Sequence, residues 1–346
     1  MQKQVWDINK LLTWAIDYFK TKNIPNPRLS AELLLSSVLN LSRMELYLKY
    51  DYILNEQQLK KYKEFILRRL EHEPIQYITG EAYFRKIKLT VDRNVLIPRP
   101  ETELVVEKAK QIIQEIINLK KESKESEKEE KQNRKPINIS ENTSVDNIND
   151  NFFKPVNILE VGVGSGAIAI SLIYEENFNK DGSFPFNIIA TDISKAAIEV
   201  ASKNANLILS PQKIKNLIFF ECDVIPEDNK EFVNKYFKNI DLVISNPPYI
   251  SQKDYENLNR EIKNFEPETA LNAGITGTEA YKHIIEKVKN FLNPQVSFII
   301  FETDPKTSIK LQELIKNEFK TPLIKVEKDY NNSDRILVAE IKKNQI

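Results

Sequence analysis

The sequence predicts an α/β fold in which a mainly parallel sheet is covered by helices on both faces and preceded by a small helical bundle. Three observations carry this expectation. Apolar, β-branched runs alternate with helical segments after residue 155; a glycine-rich turn follows the first of those runs; residues 1–74 show helical spacing of apolar side chains. At 346 residues the chain has room for a nucleotide-binding domain of common size and a smaller companion.

The first helix is read from Ile8, Leu11, Leu12, Ala15, Ile16 and Phe19, which share one face before the break at Asn23-Ile24-Pro25-Asn26-Pro27. Asn26 and Pro27 then suggest a cap and first-turn pair for a helix reaching about Leu41, and Asn55 a cap for one carrying Leu59, Tyr62, Ile66 and Leu70. From Glu81 the period changes. Ile87, Leu89 and Val91 alternate with charged or hydroxyl residues, which predicts a half-buried strand in a hairpin that links two domains. Residues 118–151 are rich in Lys, Glu, Ser and Asn and nearly free of aromatics, so a disordered surface insertion is expected there.

Five strands are expected beyond it: Val156–Val161, Asn187–Thr191, Leu217–Phe220, Ile240–Ser245 and Val296–Phe301. Two further extended runs, Lys325–Tyr330 and Arg335–Ile341, flank the turn Asn331-Asn332-Ser333-Asp334 and predict an antiparallel hairpin at the sheet edge.

Composition narrows the function classes. Lysine plus arginine equal aspartate plus glutamate at 50 each, so nothing in the overall charge indicates the basic surface of a sequence-independent nucleic-acid binder. No apolar run of about 18 residues occurs, so no membrane span is expected. The single cysteine, Cys222, and a first segment without the pattern of a signal peptide point to the reducing cytoplasm. His72 and His283 lack companion ligands, and no metal site is expected.

The strand Val156–Val161 runs into Gly162-Val163-Gly164-Ser165-Gly166 and then a helical stretch from Ala167. Glycine is required where backbone turns tightly and approaches a ligand with no Cβ in the way. The chain has only 7 glycines and three lie in this loop, which favours a ligand site over a plain turn. The spacing fits a dinucleotide as well as S-adenosylmethionine, and Asp192 on the next strand suits ribose hydroxyls in either. Glu160, just before the loop, suits a cationic amino group, which only S-adenosylmethionine carries.

The strand Ile240–Ser245 ends in Asn246-Pro247-Pro248-Tyr249, at the edge where open α/β sheets bind ligands. An amide nitrogen is a poor nucleophile because its lone pair is delocalised. The Asn246 side-chain carbonyl and the Pro247 backbone carbonyl would hold both amide hydrogens and aim the lone pair, and Tyr249 would offer an aromatic face to a flat group.

With Asn246–Tyr249, three further stretches carry a family resemblance: Glu73-Pro74-Ile75-Gln76-Tyr77-Ile78-Thr79-Gly80, Ile97-Pro98-Arg99-Pro100-Glu101-Thr102-Glu103, and Glu266-Pro267-Glu268-Thr269-Ala270-Leu271 with Gly274 and Gly277. Together they resemble the glutamine N5-methyltransferases that modify peptide chain release factors. The resemblance implies a Rossmann-like class I methyltransferase with a seven-stranded sheet. It implies domains at 1–74 (helical bundle docking the release factor), 75–100 (hairpin linker) and 101–346 (methyl transfer), and a monomer.

By the same resemblance Gly162, Val163, Gly164, Ser165, Gly166, Asp192 and Asn246 contact S-adenosylmethionine, which leaves as S-adenosylhomocysteine, with Asp223 and Val224 near its adenine. Asn246, Pro247, Pro248 and Tyr249 clamp the substrate glutamine; Arg99 and Glu101 lie beside the cofactor, and Glu266 and Pro267 border the substrate. The family's Glu-x-Gly-x-x-Gln is replaced here by Glu302-Thr303-Asp304-Pro305-Lys306-Thr307, and no role is assigned there. Two alternatives stand beside this function. One is an adenine-N6 methyltransferase on DNA or RNA, because an exocyclic amine suits the same clamp; the other is a cofactor-binding relative that no longer reacts.

Overall fold

A computed structural model describes residues 5–133 and 154–342 of the chain. Five helices open it: α1 (Ile8–Thr21), α2 (Pro27–Leu39), α3 (Arg43–Leu48), α4 (Glu56–Leu70) and α5 (Ile75–Thr79). Asp7, Ser42 and Asn55 each accept a backbone N–H in the first turn of the helix they precede, which satisfies donors that a helix start leaves open. Asn26 does not cap α2 in this way. It takes a left-handed conformation at φ +48° with no side-chain bond, and Pro27 fixes the first turn instead. The apolar faces of α1, α2 and α4 close on one another around Ile8, Phe19, Leu34, Leu35 and Tyr62.

Strands β1 (Glu81–Phe84) and β2 (Ile87–Thr90) form the expected antiparallel hairpin. The helix α6 (Glu103–Asn133) follows and corrects the expected disorder over residues 118–133. Lys and Glu are good helix formers with low rotamer cost in a helix, so this composition extends an existing helix. Ile116 and Ile117 are buried, and the Lys120 ammonium reaches the Asp241 carboxylate at 2.6 Å and the Pro155 carbonyl at 3.0 Å. The remainder of the expected insertion, 134–151, lies outside the described residues.

Strands β3 (Val156–Val161), β4 (Phe186–Asp192), β5 (Leu217–Glu221), β6 (Leu242–Ser245), β7 (Val296–Glu302), β8 (Leu323–Lys328) and β9 (Asp334–Lys342) make one seven-stranded sheet in the order β5-β4-β3-β6-β7-β9-β8. The first five are parallel, and β9 runs antiparallel between β7 and the edge strand β8. Successive residues of a strand point to opposite faces. Ile158, Ile188, Leu242 and Phe298 therefore meet α6, α7 (Ala167–Glu175) and α8 (Lys195–Ile208) on one side. Leu159, Ile189, Val243 and Ile299 meet the helices Glu279–Val288 and Pro305–Glu318 on the other.

The topology sets the site. From β3 the chain winds outward through β4 to β5, then returns to place β6 on the other side of β3. This reversal opens a crevice at the carboxyl ends of β3 and β6. The glycine loop after β3 and the Asn-Pro-Pro-Tyr corner after β6, about 80 residues apart in sequence, thus emerge from hydrogen-bonded neighbours, with Val161 paired to Ser245.

Candidate active site

A cavity of about 270 Å³ lies at this crevice. It is lined by Glu160, the loop residues Gly162, Val163, Gly164 and Ser165, then Asp192, Asp223, Val224, Asn246, Pro247 and Pro248. The linker residues Pro98, Arg99 and Thr102, the loop residues Pro267, Thr269 and Ala270, and His283 complete it. Four expected residues stand outside the lining: Glu101, Gly166, Tyr249 and Glu266. Gly166 is the left-handed cap residue before α7 at φ +84°, and a Cβ there would meet Ile170 Cδ1 at 2.6 Å, so its role is helix packing.

Tyr249, expected to offer its ring to a flat substrate, instead packs partly buried against the core beneath β6 and β7. The two prolines carry the chain away from the cavity before Tyr249. Its backbone carbonyl meets Gly277, where a Cβ would stand only 2.8 Å away. Parallel bridging of Ile250 with Asn272 and the 2.7 Å bond from the Gln252 amide to the Gly274 carbonyl fix the corner against the segment before Gly277.

The glycine loop is shaped as a cradle. Gly162 and Gly164 have φ of +74° and +53°, which L side chains adopt at a cost, and a Cβ on either would project into open space. The Asp192 carboxylate accepts from the Gly164 amide and the Ser194 amide, each at 2.9 Å, and so holds the loop to the end of β4. Burial pushes its carboxyl up, and those two amides pull it back. Its remaining lone pairs are available to hydroxyls.

Glu160 is 2% exposed, and its Oε2 has no hydrogen-bond partner among the described residues. Burial, with Asp192 adding to it, drives its carboxyl up to about 8 against the opposing pull of the Ala169 amide. A buried carboxylate without a cation is costly. An orphaned acid facing a glycine cradle is therefore a vacancy in bonding that a cationic amino group fits and a dinucleotide does not, so the residues present fit S-adenosylmethionine.

At the far end Asp223 accepts from His283 Nε2 at 2.9 Å, and Val224 has φ +66°. A β-branched residue in the left-handed region is strained, as is common where backbone is shaped around a ligand. Cys222 beside them is no nucleophile: burial, then the neighbouring Asp223 charge, pushes its thiol up to about 12.

The corner itself presents acceptors. Among the described residues no donor reaches the Pro247 carbonyl or Asn246 Oδ1, while Asn246 Nδ2 donates to the Thr102 hydroxyl at 3.2 Å. Ser245 ties the corner to the glycine-loop strand by donating to the Val161 carbonyl at 2.7 Å. Arg99 pairs with Glu266 at 2.6 Å, and Glu266 also accepts from the Ile97 amide, so two of the sequence stretches lie against each other as one wall. Asp304, in the segment that departs from the family pattern, is the cap of the helix Pro305–Glu318, with Thr307 completing a capping box.

Sequence reasoning missed Thr102 and His283, both of which line the cavity. Glu302 ends β7 and is 1% exposed; its strand pairs with the corner's own strand through Phe301 and Ser245. Thr102 and His283 come from segments 144 and 60 residues away from their partners, and their pairing follows only from the fold.

A model of the PrmC N-terminal domain matches residues 10–80, and a methyltransferase-domain model matches residues 153–343. The human methyltransferase 10 domain containing protein superposes on 72% of this chain and 87% of its own with a TM-score of 0.40 at 12% identity. The release factor glutamine methyltransferase of Bacillus subtilis is 30% identical over 342 residues, 98% of this chain and 99% of that one. That of Chlorobaculum tepidum is 33% identical over 334 residues, 96% of this chain and 97% of that one. With such identity over nearly the full length of both proteins, this chain belongs to the release factor glutamine methyltransferase family.

Proposed function

We propose that this protein methylates the side-chain nitrogen (N5) of the glutamine in the Gly-Gly-Gln motif of peptide chain release factors, and that it does so as a monomer in the cytoplasm. The observation that carries this is the pair of unengaged acceptors, Asn246 Oδ1 and the Pro247 carbonyl, in the same cavity as the glycine cradle and the orphaned Glu160. When bound, S-adenosylmethionine supplies an electrophilic methyl group on a sulfonium and departs as S-adenosylhomocysteine.

The chain's own residues do the rest. Glu160 holds the cationic amino end, Gly162 and Gly164 admit the body close to backbone, Asp192 takes the ribose, and Asp223 with Val224 borders the adenine. Asn246 Oδ1 and the Pro247 carbonyl each accept one hydrogen of the substrate carboxamide, which fixes the plane of the amide and so the direction in which its nitrogen faces the methyl group. One of those hydrogens leaves as a proton to water once the nitrogen carries the new carbon, so no dedicated base is needed. The rigid Pro247-Pro248 pair spends no entropy in adopting this geometry. The helical bundle, residues 1–74, docks the release factor, and no nucleic acid is engaged directly.

The test mixes purified protein and methyl-labelled S-adenosylmethionine with a release factor or, separately, with nucleic acid. Label is expected on the glutamine of the Gly-Gly-Gln segment, and Asn246→Ala abolishes it. Label on nucleic acid alone would reject the proposal in favour of an adenine-N6 methyltransferase.

A further inference from the structure

At the end of the cavity opposite the corner, a loop beyond β5 meets the helix Glu279–Val288. Ala280, His283 and Ile284 stand three and four residues apart on that helix and all line the cavity, so one face of the helix runs along it. His283 Nε2 lies 2.9 Å from both Asp223 Oδ1 and Asp223 Oδ2. One turn further on, Lys287 pairs with Glu227 at 2.9 Å. The loop is thus fastened to the helix at two rungs, and the first of them faces the cavity.

A carboxylate oxygen only accepts, so the hydrogen of the first rung is on Nε2. A donor shared equally by two oxygens straddles the carboxylate, which cannot turn about its Cβ–Cγ bond without giving one of them up. Among the described residues no other donor reaches the Asp223 side chain, so lone pairs remain on it for a ligand. Next to it the Ile225 amide donates to the Asp223 carbonyl at 2.8 Å and closes a three-residue turn about Val224, at φ +66°. The Val224 amide meets no acceptor among the described residues. Two consecutive cavity-lining residues therefore leave an acceptor and a donor unengaged. A 6-aminopurine has the complement, a donating amine beside an accepting ring nitrogen, and a 6-oxopurine has an acceptor where the amine would be.

We propose that His283 is a positioning residue for the cofactor: by holding both oxygens of Asp223 it keeps that carboxylate turned to the 6-amino group of the adenine. This rests on the placing of the adenine at Asp223 and Val224 proposed above. The Asp223 side chain is half exposed, so without His283 it turns to water and the amine loses a fixed acceptor.

The test compares the full chain with His283→Ala, His283→Gln and Asp223→Ala. Calorimetry measures affinity for S-adenosylhomocysteine and for S-inosylhomocysteine, which carries a 6-oxo group in place of the amine, and kinetics with a release factor separate KM for S-adenosylmethionine from kcat. The parent prefers the adenine compound. His283→Ala weakens S-adenosylhomocysteine about tenfold, the size of one charge-assisted hydrogen bond made or lost, and leaves S-inosylhomocysteine within about twofold, so the preference narrows. KM for S-adenosylmethionine rises by a similar factor while kcat at saturation falls by less than about threefold. His283→Gln, whose amide donates in place of Nε2–H, keeps S-adenosylhomocysteine affinity within about threefold of the parent.

Equal losses for the two nucleosides in His283→Ala, as a general loosening of the helix would give, would overturn the proposal. So would an S-adenosylhomocysteine affinity within about twofold of the parent in His283→Ala when Asp223→Ala loses tenfold or more. Unchanged affinity in Asp223→Ala, or a parent that binds neither nucleoside, would instead overturn the placing of the adenine, which separates the two failures.

Discussion

Glu160 gives the most quantitative expectation. In the free protein its carboxyl, buried beside the glycine loop and unpartnered at Oε2, sits at about 8. At pH 7 about ten molecules carry it protonated for each one ionised, and at pH 6 about a hundred do, since each unit is a factor of ten or about 1.4 kcal/mol. A cationic amino group requires the ionised form, so binding releases about 0.9 proton at pH 7, and S-adenosylhomocysteine affinity rises about tenfold from pH 6 to pH 7. Isothermal calorimetry in buffers of different ionisation enthalpy reads both quantities. Glu160→Gln removes the pH dependence and weakens binding at pH 8.

The same shift has a stability consequence of opposite sign. The folded carboxyl holds its proton more tightly than the unfolded one, at about 8 against 4.5. The stabilising contribution is therefore fully present below about pH 4.5 and is lost as pH rises through about 8, a loss absent from Glu160→Gln. Equal affinity at pH 6 and pH 7 with no proton released would refute the assignment of Glu160 to the amino group.

Three further outcomes follow from the packing. Gly162→Ala places a methyl group at φ +74° pointing into the cavity; it lowers S-adenosylhomocysteine affinity at least about tenfold by calorimetry, at a cost of about 1–2 kcal/mol in urea unfolding. Gly277→Ala drives a Cβ to 2.8 Å from the Tyr249 carbonyl and displaces the corner, so kcat falls by about tenfold or more while S-adenosylhomocysteine affinity is kept. Arg69 is 3% exposed and joins α4 to Glu261 at 2.6 Å; Arg69→Ala leaves that contact and the Glu73 carbonyl unpaired and lowers unfolding free energy by about 3 kcal/mol.

Much of this site is legible in one dimension because backbone requirements leave marks on composition. Val156–Val161 is read to the residue, since Val156, Ile158, Leu159 and Val161 make a mostly apolar run and the glycine loop ends it abruptly. The antiparallel β8–β9 pair is marked by its turn, yet the place of β9 inside the sheet, beside β7, is a matter of long-range packing. The extent of α6 is not legible in the sequence because a charged, aromatic-poor stretch resembles a linker until Lys120 finds Asp241, 121 residues away.

Side-chain direction is the least legible feature. The residue type at Tyr249 suggests a stacking platform, but two prolines and the close approach of Gly277 turn its ring toward the core. Thr102 is an ordinary residue within a proline-rich stretch until the fold brings it to Asn246. Conversely, the orphaned Glu160 could be anticipated from its place one residue before the last strand position, because a central strand end has no water to offer a charge.

A crystal structure of the protein with S-adenosylhomocysteine and a glutamine-containing Gly-Gly-Gln peptide bears most directly on how the corner works. The carboxamide nitrogen is expected within about 3.2 Å of both Asn246 Oδ1 and the Pro247 carbonyl, with Glu160 on the amino group of the nucleoside. A glutamine seated elsewhere, or one whose nitrogen meets the Asn246 NH₂ end, would contradict it.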